Sequence, residues 1–542
     1  MFGAGGGTSS YREIESTDLV ILWGSNARET HPIFFHHLLK GIHNGARLIV
    51  VDPRRTSSAR WADLWLGLEV GSDIALANAI GNEIISTKLV NMDFVRNATS
   101  GYDEYLRCVE AYSPERAEGL TGIPAGIIRE VARAYAQAGR AQICWTLGIT
   151  EHHNAVDNVL ALINLALLTG HVGREGSGLN PLRGQNNVQG GGDMGAIPNR
   201  LTGFQDVEDD AIRTRFEAAW DCVIPPRRGL HLSQMFDAME GGRLSSLFVV
   251  GENPAESEAD QGRALRLLGG LRHLVVQDIY LTRTAAMADV VLPASASWSE
   301  SEGTVTNSER RVQRSRRALE PPPGARDDIA ILAQLAGRLG RDWGTGSAES
   351  VWNEVRMLSP MHAGMTYARL EALGGIQWPC PTEDHPGTPT LHTRLWTWPL
   401  EGPAAPLSAV EHEPPVDELS VEFPIRLTTG RRLDSFNTGV QSGRFPSPLR
   451  RGETIDLHPA DAARLGVAEG EPVRIVSRRG SVEAPVRLDP GLRPGLAFMT
   501  LHFPDQVPTN QLTIDTYDPK SGTSEFKATA IRVERIGAGA PA

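Results

Sequence analysis

The sequence predicts an α/β protein with two doubly wound domains and a smaller β-barrel domain at its C-terminal end. Two strand–helix–strand units of matched length predict the doubly wound domains. Asp52 lies 28 positions after Gly24, and Asp278 lies 27 positions after Gly251. Short apolar runs between Gly and Pro turns predict the barrel. A chain of 542 residues has room for three or four domains.

The first unit begins with an uninterrupted apolar run, Leu19–Trp23, which ends at Gly24. About one βαβ unit later a second apolar run, residues 46–51, ends at Asp52. Continuous apolar strands joined by helices indicate a parallel sheet that is buried on both faces. Ligands of such sheets bind beyond the carboxyl ends of the strands, which is where Gly24, Asn26 and Asp52 fall.

The second unit repeats this order. Residues 247–250 end at Gly251 and Asn253, and residues 274–276 end just before Asp278. A single Gly-x-Asn loop fits an ordinary turn as well as a ligand site. Two copies at matched spacing favour a pair of nucleotide-sized sites, one in each domain.

Changes in composition and periodicity along the chain set the predicted domain boundaries. Residues 158–173 fall short of the roughly 18–20 apolar residues of a membrane span and predict a buried helix, and residues 329–339 show helical periodicity. Eight prolines in residues 381–420 predict a linker. The predicted barrel strands lie at 472–477, 480–486 and 496–500. The predicted domains are 1–185, 186–375 with an inserted segment at 298–326, a linker at 376–420, and the barrel at 421–542.

Composition excludes several classes of protein. The 53 basic and 65 acidic residues give a formal charge of −12, which argues against nucleic-acid binding and against a polybasic membrane binder. The four cysteines are far apart and form no CxxC pair, so this chain alone is not expected to ligate zinc or an iron–sulfur cluster. Few cysteines and no visible signal peptide predict a cytoplasmic location without a membrane span.

The densest polar cluster lies at residues 180–193, directly after the predicted buried helix and a Gly-rich turn. It contains several amides and glycines, one guanidinium (Arg183), and one carboxylate (Asp193) at its far edge. An arginine suits two-point recognition of a small carboxylate or a phosphate. A structural loop whose amides cap neighbouring backbone groups is the alternative.

Other polar clusters allow two interpretations each. Asp52 with Arg54, and Gly71 with Asp73, follow apolar runs; a carboxylate there can accept two hydrogen bonds from guanine, and an arginine can bind a phosphate. Surface ion pairing is the simpler alternative. Residues 300–311 predict a solvated turn with a charged face.

Two histidine pairs, His36-His37 and His152-His153, carry residue types that bind metals. Adjacent residues on a helix point in different directions, so neither pair is expected to chelate one ion. We therefore predict structural or cofactor-contact roles for both pairs. The sequence contains no HExxH, GxSxG or Walker A motif.

These motifs together resemble a known family. Residues 180–189, Asn-Pro-Leu-Arg-Gly-Gln-Asn-Asn-Val-Gln, resemble the substrate loop of the formate dehydrogenase alpha subunit. That subunit belongs to the molybdopterin bis-guanine-dinucleotide (DMSO reductase-like) superfamily, and the resemblance runs from about Thr17 to Ile536. Eight further segments resemble ones that are shared across the superfamily: residues 24–26, 51–55, 251–254, 288–294, 302–307, 429–431, 510–513 and 525–527.

The resemblance implies a molybdenum or tungsten oxidoreductase that oxidises formate to CO₂ and passes two electrons to an acceptor. It implies one guanine dinucleotide arm of the two pterins in each doubly wound domain, closed by a barrel of the double-psi type. Arg183 corresponds to the substrate arginine. Such a guanidinium would neutralise and orient formate, then lose its partner when neutral CO₂ forms.

The resemblance also implies a set of cofactor contacts and no metal ligand from this chain. In the first arm these are Asn26, Glu29, Asp52, Arg54, Gly71 and Asp73. In the second arm they are Asn253, Ser257, Gln277 and Asp278. Next to the pterins they are Leu147, Glu151 (often Gln in the family) and Gln185, and from the barrel Arg431, Asn510 and Lys527.

The sequence also departs from the family pattern. In the family, a preceding segment carries the cysteines of a [4Fe–4S] cluster and a Cys or selenocysteine metal ligand followed by His. Residues 1–10 resemble a stretch shortly after that ligand. We therefore expect an N-terminally incomplete catalytic subunit. Either the reading frame starts at an internal Met after a selenocysteine codon, or a separate chain supplies the segment. We also expect impaired activity of this chain alone.

The expected partners are formate and an electron-transfer subunit with iron–sulfur, flavin or NAD chemistry. Two alternatives stay open. One is another bis-pterin oxidoreductase that acts on a different small oxyanion. The other is a non-catalytic pterin-binding scaffold, although a scaffold has no need of the polar loop around Arg183.

Overall fold

The computed structural model describes residues 5–344, 346–433, 435, 437–438 and 452–536, so residues 1–4 of the family-like segment 1–10 lie outside the described part. The first sheet has five parallel strands in the order β3-β2-β1-β4-β5. Its strands are β1 (Leu19–Trp23), β2 (Arg47–Val51), β3 (Leu64–Leu66), β4 (Ala141–Trp145) and β5 (Gly178–Pro181).

Alternation along β1 divides this part of the chain into two cores. Leu19, Ile21 and Trp23 pack into one core, and Val20 and Leu22 pack into the other. Helices therefore cover both faces, as predicted for this sheet. The helices are Ala27–Thr30, Pro32–His43, Asp73–Ser86, Met92–Ala98, Tyr102–Val109, Pro114–Thr121, Ala125–Gln137, Leu147–Thr150, Ala155–Thr169 and Val188–Asp193.

The predicted buried helix spans Ala155–Thr169 and ends at Gly170, whose φ of +72° is the left-handed cap that glycine favours. Within the described ranges, every helix is too short or too polar to cross a bilayer.

The second sheet has three parallel strands, β6 (Ser246–Val250), β7 (His273–Asp278) and β8 (Val290–Pro293), in the order β8-β7-β6. The α/β class is confirmed. The helices that follow Leu201 are Asp210–Trp220, Leu232–Glu240, Pro254–Ser257, Gln261–Gly269, Arg283–Met287, Asp328–Arg338, Ala348–Leu358 and Tyr367–Leu373.

Burial of the second sheet on both faces was expected, and this expectation is wrong for the described residues. Phe248 and Val250 of β6 are 37% and 47% exposed, and Val290 and Val291 of β8 are 41% and 37% exposed. An apolar run thus fixes the strand, while burial depends on whether another element packs against that face.

Residues 300–311 were expected to form a solvated turn, and this too is wrong. They lead into an antiparallel sheet of β9 (Gly303–Thr306), β10 (Arg311–Ser315) and β11 (Ile376–Gln377). Arg310 is completely buried. Its guanidinium donates to four backbone carbonyls, which satisfy the charge inside the protein.

The proline-rich segment is helix-poor but packed. Its short strand Ala405–Pro406 pairs with Thr99–Ser100. Leu395, Leu407 and Val410 belong to the core of the first α/β part. The proposed domain boundaries remain a prediction.

The C-terminal part contains a closed six-stranded barrel, as predicted, in the order β12-β16-β13-β15-β14-β17 with β17 pairing back to β12. Its strands are β12 (Ile425–Gly430), β13 (Ile455–Leu457), β14 (Pro472–Val476), β15 (Ser481–Leu488), β16 (Leu496–Thr500) and β17 (Thr529–Arg535). The three strand predictions agree with β14, β15 and β16 to within two residues at each end.

Candidate cofactor and substrate site

A cavity of about 890 Å³ lies where the two parallel sheets and the barrel meet. Its walls are the loops that follow the carboxyl ends of parallel strands, where ligands of doubly wound sheets bind. Fifteen of the seventeen predicted site residues line it. They are Asn26, Asp52, Arg54, Gly71, Asp73, Leu147, Glu151, Arg183, Gln185, Asn253, Ser257, Gln277, Asp278, Arg431 and Lys527.

The two other predicted residues, Glu29 and Asn510, are not in the cavity lining. Glu29 is half-buried on the short helix Ala27–Thr30. Asn510 is buried, and its Nδ2 donates to the carbonyls of Glu256 at 3.1 Å and Ser257 at 3.0 Å. Asn510 therefore ties the barrel to a helix that borders the cavity.

The two Gly-x-Asn loops have the same backbone geometry. The amide of Gly24 donates to the carbonyl of Val51, and the amide of Gly251 donates to that of Gln277, both at 2.8 Å. The glycines have φ values of +56° and +62°, which residues other than glycine rarely adopt. The sequence repeat is thus a structural repeat.

The asparagines of the two loops also make equivalent contacts. Oδ1 of Asn26 accepts from the amide of Ser58 at 3.2 Å and from its Oγ at 2.9 Å. Oδ1 of Asn253 accepts from the amide of Thr284 at 3.1 Å and from its Oγ1 at 2.7 Å. Each asparagine therefore holds its loop against the segment after the next strand.

The first loop comes very close to the loop after β4. A Cβ added to Gly148 would lie 2.6 Å from Cα of Gly24. The amide of Gly148 and Oγ1 of Thr146 both donate to the carbonyl of Gly24, at 3.2 and 2.7 Å. This contact leaves room only for glycine and shapes the cavity floor.

Buried acids mark the first arm of the cavity. Burial raises the pKa of Asp52 to about 6 even though Arg54 lies beside it. Burial also raises the pKa of Asp73, whose carboxylate accepts from Nε1 of Trp23 at 2.7 Å. The Arg54 guanidinium lies 3.5 Å from the centre of the Phe498 ring, where a cation is attracted to the aromatic face.

The second arm also contains acids with a raised pKa, two of which the sequence analysis missed. Both line the cavity, where Glu258 is half-buried and Glu252 is exposed. Burial, reinforced by Glu252, raises the pKa of Glu258 to about 8. Partial desolvation by the cavity wall also raises the pKa of Glu252, which accepts from Oγ of Ser257 at 2.6 Å. The sequence signal that could have identified both acids as site residues is their position within seven residues of Gly251. Nothing else in the local sequence distinguishes them from solvated acids.

Arg183 follows β5 and lies in the wall of the cavity, half-buried. Its Nε donates to Oε1 of Gln189 at 3.0 Å, and its Nη2 donates to the carbonyl of Gly5 at 3.1 Å. His31 Nε2 donates to the Arg183 carbonyl at 2.9 Å, and burial lowers the pKa of His31 to about 4, so the ring is neutral. These hydrogen bonds therefore fix the backbone of Arg183 and one edge of its guanidinium.

A buried ionic network joins the cavity to the barrel. Nζ of Lys527 lies 2.6 Å from Oε2 of Glu151 and donates to the Thr429 carbonyl at 3.1 Å. Nδ1 of His152 lies 3.2 Å from the Glu525 carboxylate. Burial opposes charge on both partners, yet their attraction holds the pKa of His152 above its ordinary value and that of Glu525 far below its own.

The remaining predicted contacts meet at Asn437. Gln185 Nε2 donates to Asn437 Oδ1 at 3.2 Å, and Arg431 donates to the same oxygen. Leu147 is 52% exposed and lines the cavity with an apolar surface. In the described part of the chain, no three His, Cys, Asp or Glu side chains form a metal site.

The polar groups of the cavity fit a large cofactor with two nucleotide arms. Two equivalent loops face one cavity, and each is followed by an acid, Asp52 or Asp278, that can accept from a base. Oε1 of the buried Gln277 has no hydrogen-bond partner among the described residues, and such an acceptor is costly unless a ligand satisfies it. The fold and site therefore define a two-armed nucleotide-cofactor protein.

Comparison with known proteins identifies the family. The family described as Molybdopterin oxidoreductase matches residues 4–338, and the Molydopterin dinucleotide binding domain matches residues 425–530. The chain belongs to the molybdopterin oxidoreductase family, and its cofactor is accordingly a bis-molybdopterin guanine dinucleotide of molybdenum or tungsten.

Individual relatives narrow the comparison. The chain is 41% identical to F420-dependent formate dehydrogenase 2 subunit alpha from Methanococcus maripaludis, over 99% of this chain and 79% of that protein. It is 35% identical to formate dehydrogenase H from Escherichia coli, over 98% of this chain and 75% of that protein. The solved structure of acetylene hydratase from Pelobacter acetylenicus has a TM-score of 0.74 at 21% identity, over 98% of this chain and 79% of that chain, which shows the fold.

Proposed function

We propose that this chain is the catalytic subunit of a formate-oxidising enzyme, in which Arg183 binds formate. The observation that carries the proposal is that Arg183 lies in the wall of the same cavity that both nucleotide-arm loops line. The similarity to formate dehydrogenase alpha subunits supports formate among the small anions that an arginine can bind.

The geometry of Arg183 suits a small carboxylate. A guanidinium has five N–H bonds, and two of them are used by Gln189 and Gly5. The three that remain, on Nη1 and Nη2, can form a two-point contact with the two oxygens of formate. This contact would orient the C–H bond and would be lost when the anion becomes neutral CO₂.

The two loops would hold the cofactor by complementary groups. Asp52 and Asp278 would accept hydrogen bonds from guanine, and Arg54 and Lys527 would face phosphate or pterin oxygens. When bound, the cofactor supplies the two-electron redox centre of the reaction. The protein contributes binding and orientation.

We further propose that the electrons pass to a separate electron-transfer subunit, and that the enzyme is cytoplasmic. The relative from Methanococcus maripaludis is named as one subunit of an F420-dependent enzyme, which supports a partner that takes electrons. The four free cysteines in a 542-residue chain are consistent with a reducing compartment.

Arg183→Lys tests the proposal, because lysine keeps the charge but loses the planar fork. In the cofactor-loaded enzyme we expect the KM for formate to rise about 100-fold, which corresponds to about 2.7 kcal/mol. Formate-dependent dye reduction measures the rate, and metal and pterin content confirm loading. Arg47→Lys is the matched control, since Arg47 pairs with Glu130 at the surface.

Other results would point elsewhere. An unchanged KM for formate in Arg183→Lys would refute the assigned role. Turnover of another small oxyanion but not of formate would favour a different reaction of the same family. Full cofactor loading of wild type with neither turnover nor binding of any small oxyanion would favour a scaffold.

A further inference from the structure

The orientation of Arg183 depends on one amide, that of Gln189. The Oε1 of this amide accepts from Nε of Arg183 at 3.0 Å. Its Nε2 donates to the Gly5 carbonyl at 3.1 Å and to Oδ1 of Asp193 at 2.8 Å. Both hydrogens of the amide are therefore used, and its oxygen is directed at the arginine.

The neighbours of Gln189 allow only this orientation of the amide. A backbone carbonyl is an acceptor only, and so is an ionised carboxylate. If the amide flipped, Oε1 would face the Gly5 carbonyl and the Asp193 carboxylate, and its NH₂ would face the Arg183 guanidinium. Three hydrogen bonds would be replaced by repulsive contacts, which is costly in a buried site.

Asp193 is itself fixed by a buried tryptophan. Nε1 of Trp378 donates to Oδ2 of Asp193 at 2.7 Å, so the two carboxylate oxygens serve different partners. Asp193 is 1% exposed and Trp378 is 2% exposed. The carboxylate therefore has little freedom to turn away from Gln189.

The Gly5 carbonyl is held by the same part of the fold. A Cβ on Gly6 would lie 2.9 Å from Cγ of Arg310 and 3.1 Å from the Trp378 ring, so the backbone is packed directly against both side chains. Nε of Arg310 donates to the Gly7 carbonyl at 2.6 Å. The segment that carries the second acceptor for Arg183 is thus anchored independently of Gln189.

We propose that Asp193, held by Trp378, is a positioning residue for the substrate arginine: it fixes the amide of Gln189, which in turn fixes the guanidinium of Arg183. The inference rests on the proposed function for the anion that Arg183 binds, but the orientation of the side chain does not depend on that function. Asp193 does not contact the cavity itself, since it is absent from the lining.

Asp193→Asn is the first test, because an asparagine can present either an acceptor or a donor to Gln189. Phenylglyoxal modification of Arg183, followed by peptide mass spectrometry, reports the freedom of the guanidinium without formate or turnover. We expect the modification rate and the KM for formate each to rise about 10-fold, with a smaller change in kcat. A 10-fold change corresponds to about 1.4 kcal/mol.

A compensating change distinguishes positioning from simple damage. Gln189→Glu alone places a second carboxylate against Asp193. We expect this variant to have a lower kcat/KM and a higher rate of Arg183 modification than wild type. Asp193→Asn combined with Gln189→Glu keeps the local charge and restores the donor–acceptor match between residues 189 and 193, because the amide of the new side chain can donate to the new carboxylate. The Gly5 carbonyl loses its donor from residue 189 both in this double variant and in Gln189→Glu alone. We therefore expect the double variant to have a higher kcat/KM than Gln189→Glu and a lower rate of Arg183 modification than Gln189→Glu.

The control is Asp461→Asn, which removes another buried carboxylate, located in the barrel next to Arg464. It should leave the modification rate of Arg183 unchanged. Trp378→Phe, which removes the donor to Asp193 together with the part of the buried ring that packs on Gly6, should act in the same direction as Asp193→Asn. Thermal unfolding of each variant identifies any that fail to fold.

The two hypotheses fail in different ways. If Asp193→Asn leaves both the modification rate and the KM within twofold of wild type, or if the double variant is no better than Gln189→Glu, the positioning role is wrong and the proposed function stands. If wild type does not oxidise formate and formate does not protect Arg183, the proposed function is wrong, and the modification rates still decide the positioning role.

Discussion

The buried ion pair of Glu525 with His152 gives the sharpest prediction about stability. Glu525 is completely buried, and His152 is 3% exposed. The carboxylate also accepts from the amide of His153 at 3.1 Å and from that of Lys527 at 2.9 Å. Removing one partner of a buried, hydrogen-bonded pair costs about 3–5 kcal/mol. We expect Glu525→Gln to lie near the lower limit, because His152 can lose its proton rather than stay charged and unpaired.

The pH dependence follows from the two pKa shifts. Attraction to Glu525 overcomes burial and raises the pKa of His152, so its contribution is complete below 6.5 and is lost as the pH rises through the raised value. The pKa of Glu525 is lowered despite its burial, so its contribution is complete above 4.5 and is lost as the pH falls. The stability difference between wild type and variant should therefore be largest between these two values.

Urea unfolding across this pH range, combined with hydrogen exchange of residues 525–530, measures the effect. Glu483→Gln is the control, since Glu483 pairs with Arg474 at the exposed surface of the barrel and such pairs contribute about 1 kcal/mol or less. A difference below about 1 kcal/mol for Glu525→Gln, or one that does not vary with pH, would refute the reasoning.

Two further predictions concern the cavity. Gly148→Ala places a Cβ 2.6 Å from Gly24, so we expect a loss of about 1–3 kcal/mol in unfolding free energy and lower metal content of the purified protein. Gly126→Ala, where nothing lies within 4 Å, should instead stabilise by about 0.4–1 kcal/mol; equal effects would contradict the packing argument. Asp52 has a pKa of about 6 against an ordinary 3.8, so the folded protein binds the proton more tightly and loses stability as the pH rises between these values. Asp52→Asn should remove this part of the slope in urea unfolding of the cofactor-free protein, and an unchanged slope would count against it.

Local patterns were sufficient for the elements that repeat. The apolar runs of β1 and β6, and the Gly-x-Asn loops after them, depend on neighbours in the sequence. These loops then have matching hydrogen bonds, including those accepted by Asn26 and Asn253. The barrel strands β14 to β16 were found because their alternation and turns are also local.

Contacts between distant residues decided the features that the sequence analysis did not find. Arg310 belongs to a charged run, yet it is buried because four carbonyls from two distant segments surround its guanidinium. Asn510 anchors a helix 254 positions earlier in the chain, a contact that the sequence analysis did not predict. No local pattern encodes such partners.

By itself, the sequence determined the two strand–helix–strand units with their Gly-x-Asn loops, three of the barrel strands, and Arg183 as the arginine of the polar loop. Only the tertiary structure decided which face of the second sheet is exposed, which acids are buried enough to resist ionisation, and how Asp193 reaches Arg183 through Gln189. The reason is physical: backbone geometry and periodicity act over a few residues, whereas burial and hydrogen-bond partners are set by segments that fold together from hundreds of positions apart.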